Sequence, residues 1–137
     1  MKPSIYFITL VAEDLERAIE FYRDGLGLPL SGKGPPQGEL CYGKFQVQPG
    51  LSLVLVSEKQ FEEFTEIDLR GKRSSQMALS IPKETRDEVT SLYEQAIRAG
   101  GTSIAAPQEK EWGYSASVKD LDENIIEIIE DNQLPEI

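Results

Sequence analysis

Near the C-terminus a carboxylate stands among isoleucines. Glu127 lies within Ile125-Ile126-Glu127-Ile128-Ile129, directly after the turn-forming stretch Asp120-Leu121-Asp122-Glu123-Asn124. On a strand, alternate side chains share a face, so Ile125, Glu127 and Ile129 point one way while Ile126 and Ile128 point the other. A carboxylate carried onto an apolar face is costly unless it is paired, hydrogen-bonded or reached by solvent. Such a group can anchor a ligand, hold a metal or act as a general base, the last because desolvation raises a carboxylate's pKa toward working pH. The residues that usually complete a catalytic site are missing. With no histidine anywhere in the chain, neither a Ser-His-Asp nor a Cys-His set can be assembled. The single cysteine, Cys41, lies in the strand-like run Glu39-Leu40-Cys41-Tyr42 and reads as a packed thiol, because a reactive thiolate wants a basic neighbour. Gly25-Leu26-Gly27 has the wrong continuation for a dinucleotide loop and falls at a helix exit.

The elements that must position Glu127 are arranged as a repeat. Ile5–Val11 reads as a strand. Asp14 is a suitable N-cap for a helix carrying Leu15, Ala18, Ile19 and Tyr22 at helical spacing, with Gly25 and Gly27 at its exit. A return strand begins at Leu28–Ser31, the glycine- and proline-rich 32–38 reads as a loop, and strands follow near Glu39–Gln46 and Leu51–Val56. The second half repeats this plan. Gln76–Ile81 is a strand, Lys83–Ala99 a helix with Val89, Leu92, Tyr93, Ala96 and Ile97 on one face, and Gly100-Gly101 its exit. Strands near Thr102–Ala106, Trp112–Val118 and Ile125–Glu130 complete it. Setting Phe21-Tyr22 over Leu92-Tyr93 aligns the helices, whereas the first strands align two residues out of step with that frame. The spacing therefore predicts a longer strand–helix junction in the second half. The expected fold is α+β, with two βαβββ modules in tandem forming a curved mixed sheet around a cavity and helices outside. The first module spans about 4–57, a connector 58–74 and the second module about 75–131, all within one domain covering 1–137. In the connector, Phe61 and Phe64 suggest one short helix.

Composition narrows the partners. With 137 residues, 24 acidic against 14 basic and a formal net charge of −10, the chain is large enough for a substantial core. It lacks the clustered Lys and Arg that a nucleic-acid phosphate backbone requires. No apolar run reaches the roughly 20 residues needed to cross a bilayer, and the N-terminus runs straight into a strand pattern with no signal-peptide cleavage region, so a cytoplasmic location is expected. An acidic field favours cationic ligands. A homodimer is expected, with Phe61 and Phe64 as spare aromatics for the contact.

Ile8-Thr9-Leu10-Val11-Ala12-Glu13-Asp14-Leu15, followed by Phe21-Tyr22-Arg23-Asp24-Gly25-Leu26-Gly27, resembles the opening of the vicinal oxygen chelate superfamily, which includes glyoxalase I, bleomycin-resistance proteins and extradiol dioxygenases. Trp112-Gly113-Tyr114-Ser115 and the closing Asp120–Ile128 stretch resemble its last two strands. Leu121 and Glu123 stand where the family's turn carries proline and glycine, and Asp122 and Asn124 remain able to serve it, since Asn tolerates a left-handed backbone. Enzymes of this superfamily hold a metal on the first and last strands of each module, and the resemblance places those positions at Phe7, Leu53, Gln76 and Glu127. Phenylalanine and leucine offer a metal no lone pair, and Gln76 with Glu127 supplies two ligands where catalytic sites usually have three. No metal and no cofactor are therefore expected. What remains is a cavity floored by Phe7, Thr9 and Leu53, anchored by Gln76 and Glu127, and walled by Tyr42, Trp112 and Tyr114, which suits a small and mostly apolar organic molecule, a cationic one included. Three functions stay open: metal-free binding of a small molecule; a glyoxalase-type lyase or dioxygenase-like enzyme using Glu127 as base or weak metal ligand; and an interaction domain whose cavity is filled by its own side chains.

Overall fold

The computed structural model describes residues 5–66, 69, 77–111 and 113–131. The chain divides into two compact units, Met1–Arg23 with Gly27–Lys72, and Asp24–Leu26 with Arg73–Ile137. Each unit is built on a βαβββ plan, and the fold is α+β.

In the first unit β1 (Phe7–Ala12) leads through the Asp14 cap into α1 (Leu15–Glu20), which continues as a π-helical turn over Phe21–Gly25. The Asp14 carboxylate accepts the Arg17 N–H at 3.2 Å, satisfying a donor that the helix start would otherwise leave orphaned. Then come β2 (Leu30–Gly34), β3 (Tyr42–Gln48) and β4 (Leu51–Ser57). They form a four-stranded mixed sheet in the order β1-β4-β3-β2, with β1 parallel to β4 and the other pairs antiparallel. The stretch read as a loop from residue 32 instead keeps its ladder through Gly34, which lies opposite Tyr42. A Cβ there would meet the Tyr42 ring at 3.0 Å, so glycine is what lets the tyrosine lie over the edge strand.

Register settles which face carries the core. Ile8, Leu53 and Phe45 lie abreast, as do Leu10, Leu55 and Gly43, so these residues share one side of the pleat. That side meets α1, because a Cβ on Gly43 would stand 2.6 Å from Ile19 Cδ1 and Cγ1. Tyr22 and Phe45 pack nearby with ring centroids 6.1 Å apart, and Ile19, Tyr22, Phe45, Leu53 and Leu55 are all buried. A short helix in the connector, α2 (Glu58–Thr65), is capped by the Ser57 hydroxyl, which accepts the Gln60 N–H at 3.2 Å.

The second unit repeats the pattern with β5 (Ala78–Lys83), α3 (Arg86–Arg98), β6 (Thr102–Lys110), β7 (Gly113–Lys119) and β8 (Ile125–Glu130). Its sheet order is β5-β8-β7-β6, again with the first strand parallel to the last. The helix starts three residues later than its periodicity suggests. Lys83 still belongs to β5, and Thr85 makes the cap, its hydroxyl accepting the Glu88 N–H at 3.1 Å while the Glu88 carboxylate lies 3.2 Å from the same hydroxyl. The longer junction expected here is absent. Both first strands are six residues long and both are followed by one residue and an N-cap, Asp14 in one unit and Thr85 in the other. Under α3, the buried Val89, Leu92 and Ala96 meet Ala116, Val118, Ile126 and Ile128 on one face of the sheet. Among the described residues no helix is long and apolar enough to cross a membrane.

Candidate functional site

In each unit the helix covers one sheet face and leaves the other open. On the open face of the first sheet the cross-strand rows are Phe7–Ser52–Gln46, Thr9–Val54–Lys44 and Val11–Val56–Tyr42. Phe7, Thr9 and Tyr42 thus share a surface, with Phe7 56% exposed. Lys44 reaches across β4 to place its Nζ 5.1 Å from the Phe7 ring centroid, within range for a cation–π attraction. Beside them lies a depression of about 420 Å³ lined by Tyr6, Phe7, Ser31, Lys44, Gln46 and Ser52.

Leu53 does not belong to this surface. It is buried on the helix-covered face beside Phe45, and its neighbours Ser52 and Val54 hold the open-face positions instead. The apolar run of β4 carries no alternation, so parity could not be read from it; contact with α1 decides it.

On the open face of the second sheet Glu127 stands between Ser80 and Ser117, and its Oε1 accepts a hydrogen bond from the Ser80 hydroxyl at 3.0 Å. Glu127 is half-buried. A neutral donor in the neighbouring strand therefore meets the cost of placing this carboxylate among isoleucines, and no cation is required. Tyr114, expected as a wall of the same cavity, turns the other way. Its hydroxyl lies 3.1 Å from Thr90 Oγ1 on α3, and the Arg86 guanidinium stands 4.9 Å from its ring centroid. The alternation of Tyr114, Ala116 and Val118 against Ser115 and Ser117 carried this signal. Gln76 and Trp112 lie outside the described residues.

The turn ahead of β8 is held by Asp120. Its buried carboxylate accepts the N–H groups of Asp122 and Asn124 through Oδ1, each at 2.8 Å, and the Asn124 side-chain amide through Oδ2 at 2.8 Å. The left-handed residue is Glu123, at φ 69°, whereas Asn124 was the residue expected to tolerate that conformation.

The glyoxalase/bleomycin resistance protein/dioxygenase superfamily model matches residues 4–128. The chain belongs to this superfamily. An uncharacterised protein of Bacillus subtilis, YraH, is 29% identical over 126 residues, covering 88% of this chain and 93% of that protein. A glyoxalase-related enzyme from Fulvimarina pelagi has a similar structure, with a TM-score of 0.81 and 26% identity over 96% of this chain and 91% of its own. The hypothetical protein SA1046 of S. aureus shares the fold, with a TM-score of 0.79 and 24% identity, covering 96% and 95% of the two chains.

Superfamily membership raises the question of a resident divalent metal. The open face of the first sheet presents Phe7, Thr9, Ser52 and Val54 on the two strands where ligands would be sought, without a carboxylate or imidazole. That of the second presents Glu127 hydrogen-bonded to Ser80. Among the described residues no group of three His, Cys, Asp or Glu side chains converges. This donor set does not fit a metal that asks for three or more protein ligands.

Proposed function

We propose that this superfamily member binds a small organic molecule on the open face of β1–β4, with no metal of its own. The observation that carries the reading is the depression beside Phe7. A position that the superfamily resemblance assigns to a metal ligand holds an exposed aromatic ring, next to a volume of about 420 Å³ with hydroxyl, amide and ammonium groups around it. That volume falls within the roughly 300–1,000 Å³ of small-molecule pockets, and the mixture of one apolar surface with a few polar groups is what such pockets use to fix orientation. Screening a chemically diverse small-molecule library by backbone amide shift perturbation tests it. Hits should move Phe7, Lys44 and Ser52, and Phe7→Ala should weaken them about tenfold, the loss of one buried aromatic contact. Hits that map elsewhere, or stoichiometric zinc, nickel, iron or manganese in untreated protein, would refute the reading.

A second reading, an enzyme using Glu127 as a base, is favoured by the Ser80–Glu127 hydrogen bond on an open sheet face. Glu127→Gln would then abolish turnover with ligand affinity and thermal stability nearly preserved. We further propose a cytoplasmic homodimer. Phe61 and Phe64, rings 5.3 Å apart on α2, give it an aromatic contact, and α2 buries none of its residues within the chain. A monomeric mass at micromolar concentration in sedimentation would count against the dimer.

A further inference from the structure

The groups around the first-sheet depression run against the charge of the chain. The protein carries a formal net charge of −10, yet no carboxylate is among the described residues lining this volume. Its charged group is Lys44, whose ammonium stands over Phe7 and has no carboxylate partner among the described residues. The Ser31 hydroxyl donates to the Lys44 carbonyl at 2.9 Å, which ties β2 to β3 beneath the site. Ser52 supplies the second polar group. It is only 6% exposed and its N–H donates to the Tyr6 carbonyl at 2.8 Å, but its hydroxyl makes no hydrogen bond among the described residues. Among those residues no fully enclosed side-chain oxygen or nitrogen is left without a partner, so the Ser52 hydroxyl opens into the depression it lines.

A lysine with no ion pair among the described residues, an inward hydroxyl and an exposed ring make a three-point site. We infer that it takes an organic carboxylate with a flat apolar body. The carboxylate receives the Lys44 ammonium and the Ser52 hydroxyl, and the body lies against the exposed surface of Phe7 and Tyr6. Charge-assisted hydrogen bonds of this kind are about twice as strong as neutral ones. A cationic ligand, favoured by the net charge, would bring ammonium against ammonium here. The field at a few ångströms is set by the nearest charge, since acids beyond about 8 Å are screened at physiological salt. This inference rests on the small-molecule site proposed above and adds the sign of its ligand.

Three near-isosteric probes test it: 3-phenylpropanoate, 3-phenylpropanamide and 3-phenylpropylamine, titrated into the full chain and followed by amide shifts and calorimetry. The carboxylate should move Phe7, Lys44 and Ser52 and bind about tenfold more tightly than the amide, as expected for a charged hydrogen bond replaced by a neutral one. The amine should be weaker still. Lys44→Gln should bring the carboxylate down to the amide's affinity while thermal stability stays unchanged, and added salt should weaken the carboxylate alone. If the amide or amine binds at these residues as tightly as the carboxylate, the charge assignment is overturned and the binding site stands. If none of the three moves these residues, both are overturned.

Discussion

Gly43 is where the first helix is seated, and adding one methyl there has a calculable consequence. In Gly43→Ala the new Cβ would stand 2.6 Å from both Cδ1 and Cγ1 of Ile19, about 1 Å inside the optimal separation of roughly 3.5–4.0 Å for carbon atoms. Cδ1 can swing away through χ2, but moving Cγ1 means leaving the χ1 rotamer that a β-branched side chain strongly prefers in a helix, and Ile19 is only 3% exposed. Overpacking of this kind costs about 1–3 kcal/mol. Alanine also restricts the unfolded chain, which offsets about 0.4–1 kcal/mol. The net destabilisation should be about 1–2 kcal/mol, which for a chain of this length lowers Tm by about 3–7 °C. Urea denaturation of a double-mutant cycle checks the cause. Ile19→Ala alone should cost about 2–5 kcal/mol by opening a cavity. Combined with Gly43→Ala it should cost less than the sum by 1 kcal/mol or more (an order-of-magnitude figure), because the new methyl occupies the space that isoleucine left. Additivity to within about 0.5 kcal/mol would refute the claim that Ile19 packs directly on Gly43.

The β7–β8 turn offers two further tests. Glu123 sits at φ 69°, where an L side chain costs about 1–2 kcal/mol, whereas glycine frees the unfolded chain by about 0.4–1 kcal/mol and gives up the exposed 2.9 Å Lys119–Glu123 ion pair. Glu123→Gly should therefore raise stability by about 0.5 kcal/mol, read as a higher urea midpoint at unchanged slope. Asp120→Ala should lower it by about 2–4 kcal/mol, because the N–H groups of Asp122 and Asn124 lose their buried acceptor; a loss below about 0.5 kcal/mol, the scale of an ordinary surface change, would mean that water replaces it.

Much of the architecture was legible in the residues. Branched and aromatic runs, the Asp14 cap and the repeat in which Tyr22 and Tyr93 hold matching helical places were enough for α+β modules in tandem. Local propensity and periodicity act within a few residues of each other, so they survive without knowledge of the fold. Boundaries were softer. Lys83 reads as helical by spacing, but it stays in β5 because the cap at Thr85 fixes where the helix may begin.

Of the site, the sequence alone determined which residues exist to do chemistry: no histidine, a carboxylate among isoleucines, and aromatic and aliphatic side chains at positions that the resemblance assigns to a metal. Alternation then ordered neighbours within a strand, setting Phe7 with Thr9 and Tyr42 with Lys44. It could not say which parity meets the helix. In Leu51-Ser52-Leu53-Val54-Leu55-Val56 both parities are suited to burial, and only the approach of Ile19 to Gly43, carried through the register to Leu55 and Leu53, sends Leu53 to the core and Ser52 to the open face. Nor could it bring Lys44 to Phe7. They lie on strands separated by β4 and far apart in the chain, and their meeting depends on a pairing register that is a property of the folded sheet.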